Sequence, residues 1–234
     1  MQNYRSRIYR KYASGFQSSN SVFDIEKASR WGKAYDYYFR DWLPKDKNAS
    51  IIDLACGGGK LLYYFKERGY SHLSGVDISP EQINLAKQIV PEVVQDNILD
   101  FLKDYPDKFD LITGLDIIEH FHKEEVLDFL DLCYKSLRNG GRLILQTPNA
   151  DSPWGTTHRY NDFTHEVCFN PNAILRLLQL CNFHNTEVRE QGPVTKGYSL
   201  SSTIRYGIWQ LQDAKNHETQ ENYLYWTIVG RRHL

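Results

Sequence analysis

Long apolar runs are missing from this chain. No stretch of about 18 consecutive apolar residues occurs, which excludes a bilayer-spanning helix. Excess charge of either sign is missing too. The formal net charge is −1 over 234 residues, so a nucleic-acid partner recruited by overall charge is not expected. Cysteines are few: Cys56, Cys133, Cys168 and Cys181 show no CxxC spacing and no framework pattern. They read as free thiols of a reducing compartment. The first residues, Met1-Gln2-Asn3-Tyr4-Arg5-Ser6-Arg7, lack the apolar core of a signal peptide, and a cytoplasmic location is expected. Internal repeats and low-complexity tracts are absent as well.

Aromatic residues, by contrast, are abundant at 14%, with 16 tyrosines. They serve either a tyrosine-rich surface and core or a pocket that stacks rings on a flat ligand. The most informative stretch is Ile51-Ile52-Asp53-Leu54-Ala55-Cys56-Gly57-Gly58-Gly59-Lys60-Leu61-Leu62. A short apolar run ends in consecutive glycines and passes into a helix-compatible segment. A buried parallel strand turning sharply into a helix, with backbone bare enough for a ligand, has this pattern.

Strands and helices alternate from there. Strands are predicted over Ser50–Leu54, His72–Asp77, Glu92–Gln95, Phe109–Gly114, Arg142–Thr147, Asn185–Gln191 and Tyr223–Arg231. Helices are predicted over Lys60–Arg68, Ser79–Ile89, Lys123–Leu137 and Asn172–Leu180, with Asn139-Gly140-Gly141 ending the third. Ahead of them, Tyr9, Tyr12 and Phe16 fall at helical spacing. A second helix begins near Ser21–Asp24 and ends before Pro44. The stretch Asp151–Phe169 is expected as a polar, aromatic loop, and 193–218 as an insertion with a helix near Ile204–Gln212. This order predicts an α/β, doubly wound, seven-stranded, mostly parallel sheet with an antiparallel last strand and ligands at the carboxyl ends of the strands. The expected division is an N-terminal helical lid over 1–48 and a single domain over 49–234, with acceptor-site insertions at about 151–170 and 193–218.

The glycine turn fails the dinucleotide fingerprint. G-x-G-x-x-G counted from Gly57 and Gly59 requires glycine at 62, where Leu62 stands, and no G-x-x-x-x-G-K-[ST] occurs. Asp77 ends the second strand, 77 − 57 = 20 residues beyond Gly57, where a carboxylate accepts from ribose hydroxyls. Asp96 follows the third strand, within reach of an adenine amine. The set suits an adenosine ligand without a pyrophosphate.

These motifs, Asp53–Gly59, Gly75–Ser79, Gln95-Asp96 and Phe109–Ile112, resemble those of class I S-adenosylmethionine-dependent methyltransferases over roughly residues 50–150. The resemblance implies S-adenosylmethionine as cofactor. The glycine turn (Gly57, Gly59) lies under its methionine part, Asp77 at its ribose and Asp96 at its adenine. Tyr12, Asp53, Ala55, Ile78, Asn97 and Leu115 are placed around the same molecule. One departure is Ala55, where the family usually has glycine; alanine fits if its φ is not positive.

A second cluster, Asp116, Glu119 and His120, has i, i+3, i+4 spacing just past the fourth strand, and His165 follows in the loop after the fifth. Two readings stand open. In one, Asp116, Glu119, His120 and His165 collect a divalent metal, which resembles the acid-x-x-Glu-His set of small-RNA and quinone-ring O-methyltransferases. In the preferred one no metal is assigned, and His165, with His120 and Glu119, acts on the acceptor as base or orienting group. A hydroxyl acceptor needs its proton removed and an amine does not, so the histidines favour O-methylation. Arg159, Tyr160 and Asp162, with Asp116, are the expected acceptor contacts.

The stretches Thr147–Gly155, His158–Pro171 and Ser199–Trp209, with Tyr9–Tyr12, resemble the branch found with bacterial surface-polysaccharide (O-antigen and capsule) genes. That resemblance implies a small polar acceptor, a sugar or phosphorylated precursor of a surface glycan. The alternatives are metal-dependent methylation of a quinone-type or RNA acceptor, and a cofactor-binding partner subunit without activity. A homodimer is compatible with the sequence.

Overall fold

The computed structural model describes residues 4–11, 22–152, 155–191, 200, 201, 204 and 225–233. Two helices come first, α1 (Tyr4–Tyr9) and α2 (Ile25–Tyr38). Strand β1 (Ser50–Leu54) leads through the glycine turn into α3 (Lys60–Glu67), then β2 (His72–Asp77), α4 (Pro80–Ala86), β3 (Val93–Gln95) and α5 (Ile98–Lys103). Strand β4 (Phe109–Leu115) and a short 3-10 turn (Ile118–His120) precede α6 (Lys123–Ser136) and β5 (Leu137–Pro148). Among the described residues, helices α7 (Gly155–Asn161) and α8 (Pro171–Leu180) and strands β6 (His184–Gln191) and β7 (Tyr225–Arg231) follow. The strands form one seven-stranded sheet in the order β3-β2-β1-β4-β5-β7-β6, with β7 antiparallel to both neighbours and the other pairs parallel.

Strand residues alternate between two cores, as the two-residue period of a strand demands. Ile52, Ile112, Leu143, Leu145 and Ile228 face one side, against Phe129, Leu130 and Cys133 of α6 and Ile174 and Leu178 of α8. Ile51, Leu111, Ile144 and Val229 face the other, against Tyr35 and Phe39 near α2 and Leu62 and Phe65 of α3. Both faces are covered, which is why these strands read as apolar runs.

The helix starts have local causes. The side chains of Asp24, Asn97 and Asn170 accept from the N–H groups of Lys27, Leu99 and Ala173, each near 2.9 Å, and Pro80 and Pro171 stand in first turns where no N–H is missed. The structure departs from the sequence-based elements at several places. Helix α5 was not expected; its six residues are too few for a helical period to show. Asn139-Gly140-Gly141 does not end a helix: α6 stops at Ser136, β5 starts at Leu137, and Gly140 adopts φ 76° at an irregularity in the β4–β5 ladder. The expected loop 151–170 contains α7. Tyr12, Phe16, Trp154, the Tyr223 start of the last strand and nearly all of 193–218 lie outside the described residues.

Ala55 corrects an expectation about strain. The sequence reading required a negative φ, whereas Ala55 adopts φ 54°. The turn is held there by Cys56 N–H donating to the Val76 carbonyl at 3.1 Å, so the backbone path is set by β2 rather than by the residue's preference. Below it, Asp53 is buried in the sheet and accepts from the Thr113 hydroxyl at 2.7 Å. Burial pushes its carboxyl up to about 7, against the opposing Thr113 bond and reinforced by Asp77.

Two outcomes are expected. Ala55→Gly removes a left-handed alanine that costs about 1–2 kcal/mol, partly offset by a floppier unfolded chain. The net is a gain of about 0.5–1 kcal/mol in urea unfolding; a loss would show that the methyl group packs usefully. The second concerns pH. The unfolded chain releases the Asp53 proton near 3.8 and the folded chain holds it to about 7. Between those values the folded state binds more protons, so stability falls as pH rises, by on the order of 2–4 kcal/mol in all. Asp53→Asn flattens that fall between pH 4 and 7; an unchanged slope would assign it to another group.

Candidate active site

A cavity of about 750 Å³ opens at the carboxyl ends of the parallel strands, where an open α/β sheet places its ligands. The glycine turn forms its floor with Ala55, Cys56, Gly57 and Gly58. Gly57 adopts φ 51°, and at Gly58 a Cβ would meet the Gln82 side chain at 3.1 Å. Gly59 does not line the cavity. It caps α3 at φ 84°, where a Cβ would stand 3.0 Å from the backbone of Ala86, so it lets α3 and α4 approach. Asp53 lies beneath the floor and also does not line it.

Asp77 bridges the turn to β2. One carboxylate oxygen accepts from Gly57 N–H and the other from Ser79 N–H, each at 2.8 Å. Burial raises its proton affinity and these backbone bonds oppose that. Asp77 and Ile78 line the cavity, as do Asp96, Asn97 and Leu115. Asp96 is exposed and Asn97 caps α5. A bare floor, a backbone-held carboxylate and a second acid along the same wall fit an adenosine-bearing cofactor.

The segment after β4 makes the opposite chemistry. Asp116 opens onto the cavity at φ 54° and accepts twice from the Gln146 amide, at 2.9 and 3.0 Å. Burial raises its carboxyl, while Gln146 and Lys60 act the other way. Lys60, also on the cavity wall, has its ammonium lowered by burial and then by Lys27. Glu119 is 2% exposed. Burial, reinforced by the Asp116 charge, holds its carboxyl well above the usual range. The Thr147 hydroxyl donates to its Oε2 at 3.1 Å, and its Oε1 has no partner among the described residues.

His120 and His165 stand edge to face with ring centroids 4.7 Å apart. His120 Nδ1 meets the Thr164 hydroxyl at 2.8 Å. Burial first, then the charge of His165, lowers the His120 imidazole to about 4, which keeps it neutral. His165 Nδ1 meets the His158 carbonyl at 2.8 Å; a carbonyl only accepts, so that nitrogen carries a proton, and in the neutral ring Nε2 is the bare one. Glu119, His120 and His165 each offer a donor atom within 4.8 Å of the others. In type this O,N,N set fits a divalent cation. Asp116, the fourth candidate, is not part of the group.

Of the other expected acceptor contacts, Arg159, Tyr160 and Asp162 do not line the cavity. The Arg159 guanidinium donates to the backbone carbonyls of His165 and Glu166 and so shapes the loop. Tyr160 is 75% exposed. One Asp162 oxygen accepts from the Thr164 N–H and hydroxyl, at 2.8 and 2.6 Å. Tyr12 is outside the described residues, but α1 supplies Arg5 and Tyr9 to the wall. Arg5 donates to both oxygens of Glu125, at 3.0 and 2.7 Å, and to the His120 carbonyl at 2.7 Å. Sequence reasoning missed Arg5 and Lys60, which looked like ordinary surface cations.

Comparison with known proteins agrees with this architecture. Residues 24–188 match a family model described as a methyltransferase domain. The chain is 26% identical over 199 residues to the ubiquinone biosynthesis O-methyltransferase of Xylella fastidiosa (strain 9a5c), covering 75% of this chain and 72% of the relative. It is 24% identical over 147 residues to the phosphoethanolamine N-methyltransferase of Plasmodium falciparum, covering 60% and 55%. Among solved structures, a SAM dependent methyltransferase from Archaeoglobus fulgidus aligns with TM-score 0.67 at 20% identity over 98% of this chain and 100% of that one. The geranyl diphosphate C-methyltransferase of Streptomyces coelicolor aligns with TM-score 0.67 at 16% identity over 99% and 100%. Because the matched segment runs from before α2 into β6 and carries the whole glycine turn and the acids around it, the chain belongs to the methyltransferase-domain family and is an S-adenosylmethionine-dependent methyltransferase.

Proposed function

We propose that this enzyme methylates a hydroxyl group of a small acceptor. The observation that carries the reading is the grouping of Glu119, His120 and His165 within 4.8 Å on the wall of the cofactor cavity. S-adenosylmethionine, when bound, supplies an activated methyl group, and the protein's share is chiefly positioning. Gly57 and Gly58 give the cofactor bare backbone, Asp77 accepts from its ribose, and Asp96 accepts from its adenine. His165 presents its bare Nε2 and takes the hydroxyl proton. His120 stays neutral beside it, and burial favours the protonated form of Glu119. In this reading α1 is the lid, since Arg5 and Tyr9 close the cavity over the histidines. The catalytic group acts without a metal.

The acceptor is a ring hydroxyl of the quinol or catechol type. Ile117, Phe121 and Pro148 give the cavity an apolar side near the histidines, which suits a flat apolar body. The relatives named for ubiquinone biosynthesis support the same class. A second reading, a sugar or phosphorylated precursor of a surface glycan, is favoured by the likeness of His158–Pro171 to that branch and by Asp116 and Lys60 on the wall. The cytoplasm is the proposed location for either acceptor.

Release of S-adenosylhomocysteine separates the two. Catechols and demethylated quinols should turn over while sugar nucleotides and sugar phosphates do not; the opposite ranking would select the glycan reading, and turnover of amines alone would sink both. With the active acceptor, His165→Ala should lower kcat by about 100-fold or more, the usual worth of a positioned base, with little change in cofactor affinity. Chelator should leave the rate unchanged. Loss in chelator with rescue by Mg²⁺ would assign the three donors to a cation instead.

A further inference from the structure

Thr164 is buried and does not itself line the cavity, yet its side chain touches residues that do. A hydroxyl has one proton and two lone pairs. The proton goes to Asp162, whose oxygen accepts it at 2.6 Å; a carboxylate oxygen has nothing to donate. A lone pair then faces His120 Nδ1, at 2.8 Å, and the Tyr9 side chain is hydrogen-bonded to the same residue. With the Thr164 proton committed to Asp162, His120 Nδ1 has to be the donor in its bond.

We infer that Thr164 is a positioning residue: its hydroxyl, oriented by Asp162, fixes His120 as the Nδ1–H tautomer and presents a bare Nε2 to the acceptor side of the cavity. The alternative tautomer would put a bare Nδ1 against a hydroxyl with no proton left to give, and an N–H where the acceptor's own proton must be received. Both nitrogens would then be mismatched. The Tyr9 bond brings α1 into the same arrangement, so the helix that closes the cavity is attached to the group that orients His120. Arg5 reinforces it by donating to the His120 carbonyl at 2.7 Å. Asp162, expected from the sequence to touch the acceptor, acts two bonds away through Thr164. This assignment rests on the proposed role of the histidines toward a hydroxyl acceptor, but the tautomer is readable without any acceptor.

The test is nitrogen NMR of the full chain labelled at histidine, with S-adenosylmethionine present and the His120 signals identified by their loss in His120→Asn. Wild type should show a protonated Nδ1 and a bare Nε2. Thr164→Ser should keep that pattern. Thr164→Val, which keeps the shape and loses the hydroxyl, should shift His120 toward the Nε2–H form and lower kcat about tenfold or more while the KM for S-adenosylmethionine stays within threefold. Asp162→Asn is the second variant, read in the same way if the valine protein does not fold. A protonated Nε2 in wild type overturns the inference, as does an Nδ1–H pattern that persists in Thr164→Val. If no hydroxyl acceptor turns over, the O-methylation reading fails while the spectra still decide the tautomer.

Discussion

The Asp77 carboxylate is the tie on which the cavity depends. It holds Gly57 N–H with one oxygen and Ser79 N–H with the other, and so joins the end of β1 to the end of β2 at the level where a ligand lies. Burial makes the carboxylate costly and the backbone donors offset part of that cost. Because the turn is held from β2, Ala55 can be kept left-handed and the floor kept bare. Gly59 in turn lets α3 pack directly against α4. Lengthening or shifting β2 by one residue would move the carboxylate off the turn and open the floor.

The acceptor side is held differently. No strand carries His165; it lies in a loop whose backbone is tied at both ends. Glu166 and Val167 N–H groups donate to the Glu119 carbonyl at 2.8 and 3.1 Å, and Arg159 donates to the carbonyls of His165 and Glu166. The Tyr4 hydroxyl reaches the Glu166 carboxylate. Residues that look like ligand contacts in a one-dimensional reading thus build the frame for the few that reach the cavity. This is the usual division of labour where a loop must be as exact as a strand end.

That division explains what was legible in the sequence. The alternation of strands and helices, the glycine turn and the places of the acids at 77 and 96 were readable because each depends on spacing within one strand–turn–helix unit. Glu119 and His120 were readable as neighbours for the same reason, whereas Asp116, joined to them by spacing alone, lines the cavity outside their cluster. The left-handed Ala55 was not, because its conformation is imposed by a bond from β2. Helix α5 was too short to show a period. Arg5 gave no signal, since its partners Glu125 and His120 are over a hundred positions away. Arg159 and Asp162 were placed in the right loop but given the wrong neighbours, because sequence does not tell whether a loop side chain turns toward a ligand or back onto its own backbone.

The pairing of His120 with His165 has an energetic consequence for the reaction. Two charges at the 4.7 Å separation of the rings repel by about 3–4 kcal/mol at an effective dielectric of 20, or between two and three pK units. Burial alone already disfavours charge on His120, and it disfavours charge on Glu119 as well. The cluster therefore holds at most one added proton near neutral pH. One proton is what a hydroxyl acceptor releases, which matches the capacity of the pair.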